Sequence, residues 1–173
     1  MRNGAVLVLG GARSGKSNYA EKLVAENGGG RVYIATARAG DAEMADRIAQ
    51  HMARRGAGWR TLETPDALEA VLAREAGERR ALLVDCLTLW LANLMLAGAD
   101  LDSRTESLCR TLAGLPGLAV LVSNEVGMGL VPDNRLGRDF RDAHGRLNQA
   151  VAAVADRVVF VAAGLPLVLK GAP

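Results

Sequence analysis

The residues from Gly10 to Ser17 carry the first recognisable chemistry: Gly10-Gly11-Ala12-Arg13-Ser14-Gly15-Lys16-Ser17 fits G-x-x-x-x-G-K-[ST]. In such a segment glycines let backbone N–H groups turn inward around phosphate oxygens, and the helix that follows adds a favourable dipole. Lys16 is placed to reach the outer phosphates, and Ser17 to offer its hydroxyl to Mg²⁺. A glycine-rich turn can match a loose pattern by chance in a chain with 20 glycines. Lysine argues against chance, because only Lys16, Lys22 and Lys170 occur and one of them falls at the motif position. The same chemistry needs a second metal-directed carboxylate at the end of a neighbouring buried strand, and Asp85, after Ala81-Leu82-Leu83-Val84, supplies one. Capping of a helix beginning at Leu87 is the other reading of Asp85.

A second constellation lies on a helix expected over Asp41 to Arg55. Glu43, Arg47 and His51 follow one another at i, i+4 spacing along one face, with Arg54 and Arg55 near its end. An unprotonated imidazole is a competent nucleophile toward an activated phosphorus, and arginines can bind the remaining phosphate oxygens. A solvated helix face with i, i+4 ion pairs explains the same residues without chemistry. His144, the other of the two histidines, reads as a surface or packing residue without an obvious partner.

These residues need a scaffold, and the apolar runs Ala5 to Leu9, Val32 to Ala35, Ala81 to Val84, Leu118 to Val122 and Val158 to Val161 read as strands buried on both faces. Between them lie helix-length segments at Lys16 to Glu26, Asp41 to Arg55, Pro65 to Glu75, Leu87 to Leu96, Arg104 to Leu112 and Asn134 to Ala155, and Leu167 to Lys170 reads as a last short strand. The alternation is α/β, and 173 residues suit one domain over 1–173. Two polar segments follow the fourth of these strands: Ser123 to Gly129, at the edge where open α/β sheets bind ligands, and a basic, amide-rich helix face with Asn134, Arg135, Arg138, Arg141, Asp142, Arg146 and Asn148, which a solvated helix explains equally well.

Composition removes several function classes. A formal net charge of +2 and 3% aromatics leave little to attract or stack nucleic acid. Cys86 and Cys109 are too few for a disulfide framework and are not metal-spaced, which fits a reducing, cytoplasmic setting. No apolar stretch reaches the roughly 18 to 20 residues of a transmembrane helix, and the N-terminal run enters glycines without a cleavage site.

Taken together the motifs resemble the adenosylcobinamide kinase/adenosylcobinamide-phosphate guanylyltransferase family of cobalamin biosynthesis. The resemblance runs nearly end to end: Leu9 to Ser17, Tyr33 to Ala37, Glu43-Met44 with Arg47-Ile48 and His51, Trp59-Arg60-Thr61 with Glu63, Val84 to Thr88 with Asn93-Leu94, Ser123 to Gly129, and Gly145 to Gln149. It implies a P-loop NTPase-type (RecA-like) mostly parallel sheet flanked by helices. It also implies phosphorylation of adenosylcobinamide by ATP or GTP, followed by transfer of GMP from GTP to the resulting phosphate with release of pyrophosphate.

By the same resemblance His51 is the residue that carries GMP covalently, and Lys16 is its catalytic companion at the phosphates. Gly10, Gly11, Ala12, Arg13, Ser14, Gly15, Lys16, Ser17, Ala35, Thr36, Ala37, Met52, Ala53, Arg54, Arg55, Glu63 and Asp85 would contact nucleotide, Ser17 and Asp85 would hold Mg²⁺, and the chain would be a homo-oligomer. Guanine choice rests on the resemblance alone, since no N-K-x-D motif occurs. Asn124, Glu125 and the Arg135 to Arg146 face are candidates for the corrinoid, drawn from their place after a strand. A small-molecule kinase without nucleotidyl transfer and a GTP-dependent regulatory module are the readings from outside the resemblance.

Overall fold

Strands that are apolar on both faces are stable only where both faces are covered, and the arrangement of the chain follows from that requirement. The computed structural model describes residues 4–37 and 58–172. In chain order the elements are β1 (Gly4–Gly10), α1 (Lys16–Glu26), β2 (Gly30–Ala35), β3 (Trp59–Glu63), α2 (Leu68–Glu75), β4 (Arg80–Asp85), α3 (Leu87–Leu96), α4 (Leu101–Ala113), β5 (Leu118–Asn124), α5 (Arg135–Val154), β6 (Arg157–Ala162) and β7 (Leu165–Lys170). The strands form one sheet in the order β3-β2-β4-β5-β1-β6-β7, parallel throughout except for β7, which pairs antiparallel with β6.

Alternation along each strand divides the core in two. Leu7, Ile34, Leu82, Val84 and Leu121 pack with Leu68, Trp90, Leu108, Leu147 and Val151 from α2 to α5. Val8, Leu83, Val120, Val122 and Val159 face the other way, against Ala20 and Val24 of α1. The connections leaving the adjacent strands β1 and β5 therefore depart to opposite faces of the sheet. That opens a crevice at their carboxyl ends, where ligands of open α/β sheets bind.

The expected elements that fall on the described residues appear close to their expected bounds, with physical reasons for the differences, and the helix expected over Asp41 to Arg55 lies outside the described residues. Helix α4 begins at Leu101 rather than Arg104 because Asp100 caps it, accepting from Ser103 N–H at 3.0 Å. Strand β3 was not among the expected strands: Trp59-Arg60-Thr61-Leu62-Glu63 is an edge strand whose residues are half-buried or exposed, so it contains no continuous apolar run. Its register against β2, Arg31 beside Trp59 through Ala35 beside Glu63, is what reveals it.

A buried polar network joins α3, β5 and α5. His144 is fully buried rather than a surface residue. Its Nε2 lies 3.0 Å from Thr88 Oγ1 and 3.3 Å from Ser123 Oγ, and its Nδ1 lies 3.3 Å from Asn148 Nδ2. Ser123 Oγ–H donates to Asn148 Oδ1 at 2.7 Å. With Asn148 Oδ1 so engaged, its Nδ2 is the donor toward Nδ1, and the neutral imidazole carries its proton on Nε2.

Protonation would place a second N–H against the Asn148 amide and bury a charge, and burial indeed lowers the His144 pKa from its usual 6.5, opposed by the Glu125 carboxylate. The unfolded chain then binds more protons than the folded one below pH about 6.5. The stabilisation is complete above that pH and is lost as pH falls toward the lower folded value. The urea midpoint should accordingly drop between pH of about 7 and about 5.5, and drop less in His144→Gln; equal slopes in the two proteins would assign the acid sensitivity elsewhere.

Candidate functional site

The carboxyl edge brings together most of the described residues singled out from the sequence. β1 ends at Gly10, and Lys16 opens α1 after a loop in which Arg13 (φ 54°) and Gly15 (φ 95°) adopt left-handed backbone. Only glycine takes the Gly15 conformation without strain, and an added Cβ there would also sit 3.1 Å from Gly164 Cα. No side chain caps α1, so its first-turn N–H groups keep the donor capacity that an anion can use.

The loop is tied down at both ends. Glu125 N–H donates to Gly10 O at 3.0 Å, and Gly164 N–H, from the β6–β7 turn, donates to Ser14 O at 2.8 Å. Ser14 Oγ is buried without a hydrogen-bond partner among the described residues.

Lys16 folds back so that Nζ donates to Gly11 O at 3.0 Å. Burial lowers its pKa, while Cys86 and Asp85 pull it up. The Cys86 thiol is itself pushed up to about 11, first by burial and then by Asp85, so at neutral pH it carries no charge and, among the described residues, Asp85 is the group that supports the ammonium. Asp85 closes β4 and accepts from Tyr33 Oη–H at 3.0 Å. It does not cap the next helix, whose N-cap is Cys86 without a side-chain bond.

Thr36 is fully buried, and its side chain is committed to Cys86, donating to the carbonyl at 2.7 Å and accepting from the N–H at 2.8 Å. Asn93 Nδ2 donates to Thr36 O at 2.8 Å and to Pro65 O at 3.0 Å. These bonds fix the ends of β2 and β4 relative to each other, and Tyr33, Thr36 and Asn93 thereby support Asp85. Tyr33 escapes sequence reading because it stands inside an apolar run.

Glu63 is exposed and lies in register with Ala35, which in turn pairs with Asp85. From β1 it is four strand spacings of about 4.8 Å away, about 19 Å along the edge. Ala37, just past β2, is half-buried. Asn134 is the N-cap of α5 and accepts from Gly137 N–H at 2.7 Å, whereas Arg138 donates back to Pro132 O and Asp133 O, and Arg141 to Gly127 O. The basic face of α5 is thus partly spent on holding the segment after β5. Glu43, Arg47, His51, Met52, Ala53, Arg54 and Arg55 lie outside the described residues.

Close packing beneath the loop separates the roles of its first two glycines. A Cβ on Gly10 would stand 2.5 Å from both Ser14 Oγ and the backbone oxygen of Val161, whereas one on Gly11 meets nothing within 4 Å. Gly10→Ala is expected to cost about 1–3 kcal/mol and Gly11→Ala less than about 0.5 kcal/mol, as read from urea midpoints at constant m-value. A neutral Gly10→Ala would show that the floor of the loop yields more readily than its contacts imply.

Comparison with known proteins places this architecture in context. Residues 6–169 match the family model described as cobinamide kinase / cobinamide phosphate guanyltransferase. A bifunctional adenosylcobalamin biosynthesis protein, CobP, of Pseudomonas aeruginosa is 57% identical over 169 residues, covering 96% of this chain and 98% of its own length. The counterpart CobU of Salmonella typhimurium is 40% identical, covering 95% and 99%, and that of Escherichia coli 38%, with the same coverage.

Among solved structures, a Pyrococcus horikoshii protein superposes with a TM-score of 0.58 at 10% identity, over 100% of this chain and 89% of that one. An ATPase of the type III secretion system does so with a TM-score of 0.58 at 14% identity, over 95% of this chain and 56% of that one. The structural likenesses show that this α/β fold is shared with those proteins; the family match over nearly the whole length establishes that this chain belongs to the cobinamide kinase / cobinamide phosphate guanyltransferase family.

Proposed function

We propose that this chain phosphorylates adenosylcobinamide with ATP or GTP and then transfers GMP from GTP to the phosphate so formed, through a guanylylated His51. The observation that carries the reading is the phosphate-type loop with Lys16 beside Asp85, in a chain whose family match spans residues 6–169. In the first reaction the aminopropanol hydroxyl oxygen attacks the terminal phosphorus, the bond to the nucleoside diphosphate breaks, and the hydroxyl proton is released. In the second, an imidazole nitrogen of His51 attacks the α-phosphorus of GTP and pyrophosphate leaves. An oxygen of adenosylcobinamide phosphate then attacks that phosphorus, the N–P bond breaks, and adenosylcobinamide-GDP is released. A phosphoramidate stays reactive, so one transfer is divided into two easier displacements.

Within this reading, backbone N–H groups of Gly10 to Ser17 hold the phosphates, and Lys16 exchanges its bond to Gly11 O for phosphate oxygens. Ala35, Thr36, Ala37 and Glu63 line the edge toward the nucleoside, with Met52 to Arg55 completing the nucleotide contacts. Because the Thr36 side chain is committed to Cys86, its share is limited to shape. The Ser17 hydroxyl and the Asp85 carboxylate are an oxygen-only pair, and no group of three or more His, Cys, Asp or Glu suited to a metal occurs among the described residues. That donor set fits Mg²⁺, which takes few protein ligands and fills its shell with phosphate and water. When bound, Mg²⁺ neutralises charge on the departing diphosphate or pyrophosphate; Asp85, oriented by Tyr33, would hold it.

The homo-oligomer belongs to the same proposal, supported by exposed Leu165, Leu167 and Leu169 on the edge strand β7. Both cysteines are free thiols, which supports the cytoplasmic setting. No helix of the described residues is long and apolar enough to cross a membrane.

Incubation with Mg²⁺ and GTP radiolabelled at the α-phosphorus, followed by denaturation, should leave acid-labile, alkali-stable label on the protein and none on His51→Ala. Lys16→Ala should lower both labelling and cobinamide phosphorylation by about a hundredfold or more. Absence of label in a protein that still binds GTP and phosphorylates cobinamide would reduce the activity to the kinase alone.

A further inference from the structure

The buried network around His144 is larger than packing requires, and its bonds converge on one residue. Asn124 ends β5, between Gly10 at the end of β1 and the β4 strand that carries Asp85. Both of its backbone polar groups are held by side chains: its N–H donates to Thr88 Oγ1 at 2.9 Å, and its carbonyl accepts from Asn148 Nδ2 at 3.1 Å. His144 touches both holders, Thr88 through Nε2 at 3.0 Å and Asn148 through Nδ1 at 3.3 Å. Ser123, the preceding residue, is fully buried and bonded to the same asparagine. The next residue, Glu125, donates its N–H to Gly10 O at the root of the phosphate loop. The chain is therefore fixed before, at and after Asn124.

The Asn124 side chain itself is left for something else. It is half-buried at the mouth of the crevice, and among the described residues nothing hydrogen-bonds its amide. A strand end usually needs one bond to finish its ladder; here three side chains from two helices are spent on one backbone unit. Such a frame restricts the direction of an amide that can both donate to and accept from a hydroxyl or amide group.

We propose that His144 is a positioning residue: through Thr88 and Asn148 it clamps the backbone of Asn124 and so aims the Asn124 amide at the phosphoryl acceptor, a polar alcohol carried on a corrinoid. This rests on the proposed kinase activity. The acceptor must approach the terminal phosphate from outside the loop, and Asn124 lies on the strand next to that loop, on the side toward Asp85.

The test uses the purified full-length protein with His144→Ala, Asn124→Ala and the double variant, measuring cobinamide phosphorylation, nucleotide binding by calorimetry and thermal melting. Each single variant should lower kcat/KM for cobinamide about tenfold, chiefly through KM, while nucleotide Kd stays within about twofold. The double variant should be no worse than Asn124→Ala alone, because His144 acts through Asn124. Additive losses, or a parallel loss of nucleotide affinity, would overturn the assignment.

His144→Gln, which keeps a donor toward Thr88, should recover part of the loss, and it serves in place of His144→Ala should that variant fail to fold. Amide hydrogen exchange at Asn124 gives a readout independent of activity: protection should fall in the His144 variants, and unchanged protection refutes the clamp. A parent protein that binds nucleotide without phosphorylating cobinamide would refute the functional reading instead, with the exchange result still deciding whether the clamp exists.

Discussion

A parallel sheet that stops in the middle of a protein leaves backbone N–H and C=O groups without ladder partners at the carboxyl edge, and each one left buried and unpaired costs about 1–3 kcal/mol. How this chain meets that constraint determines the shape of its site. Thr36 pairs both ways with Cys86 across the ends of β2 and β4. Asn124 at the end of β5 is held by Thr88 and Asn148, and Gly10 at the end of β1 accepts from Glu125. Four strand ends are thus fastened by bonds outside the ladder, three of them using side chains from the helices or from the next strand. The result is a stiff floor from which a loop, a lysine and a carboxylate project.

Charge is placed on that floor sparingly. Burial works against the Lys16 ammonium, and the neighbouring Asp85 carboxylate opposes the effect; the Cys86 thiol stays neutral, with its pKa pushed up to about 11. Tyr33 takes one carboxylate oxygen of Asp85, so the carboxylate is oriented by a neutral donor, with no ion pair to a second cation among the described residues. Under the proposed function an incoming polyphosphate would meet, among the described residues, the Lys16 ammonium, a set of backbone dipoles, and a carboxylate whose negative charge favours a bridging cation. The apolar alternation of the strands, which sends α1 to one face and α2 to α5 to the other, sets these groups beside the crevice where the connections of β1 and β5 diverge.

Much of this was legible in the sequence because it is local. The loop from Gly10 to Ser17 is a contiguous motif with a strand before it and a helix after it, and each of the apolar runs became a strand. Helix α3 matches its expected bounds, Leu87 to Leu96, since a run with no glycine or proline inside it has few alternatives. What escaped is what depends on distant partners. β3 is a strand only because β2 offers it an edge, and its alternation is too polar to announce itself. His144 has partners 56 and 21 residues away in the chain, and no spacing rule connects them. Tyr33 looked like core and is buried, yet its hydroxyl reaches a carboxylate 52 residues on.

Under the proposed function one cradle must serve displacements at two different phosphorus atoms, and the sheet edge is laid out so that it can. Backbone N–H groups and Lys16 hold a triphosphate by its outer oxygens, which favours neither displacement over the other. Attack on the terminal phosphorus requires a nucleophile beyond the end of the polyphosphate, where the β1–β5 crevice opens beside Asn124. Attack on the α-phosphorus requires one nearer the nucleoside, in the direction of Ala35 and Glu63, which stand on strands about 14 and about 19 Å from β1 at ordinary strand spacing. Two nucleophiles can then approach from different positions along the edge without rebuilding the cradle between reactions. A rigid floor is the condition for this, since a loop that shifted to suit one displacement would misplace the phosphate for the other.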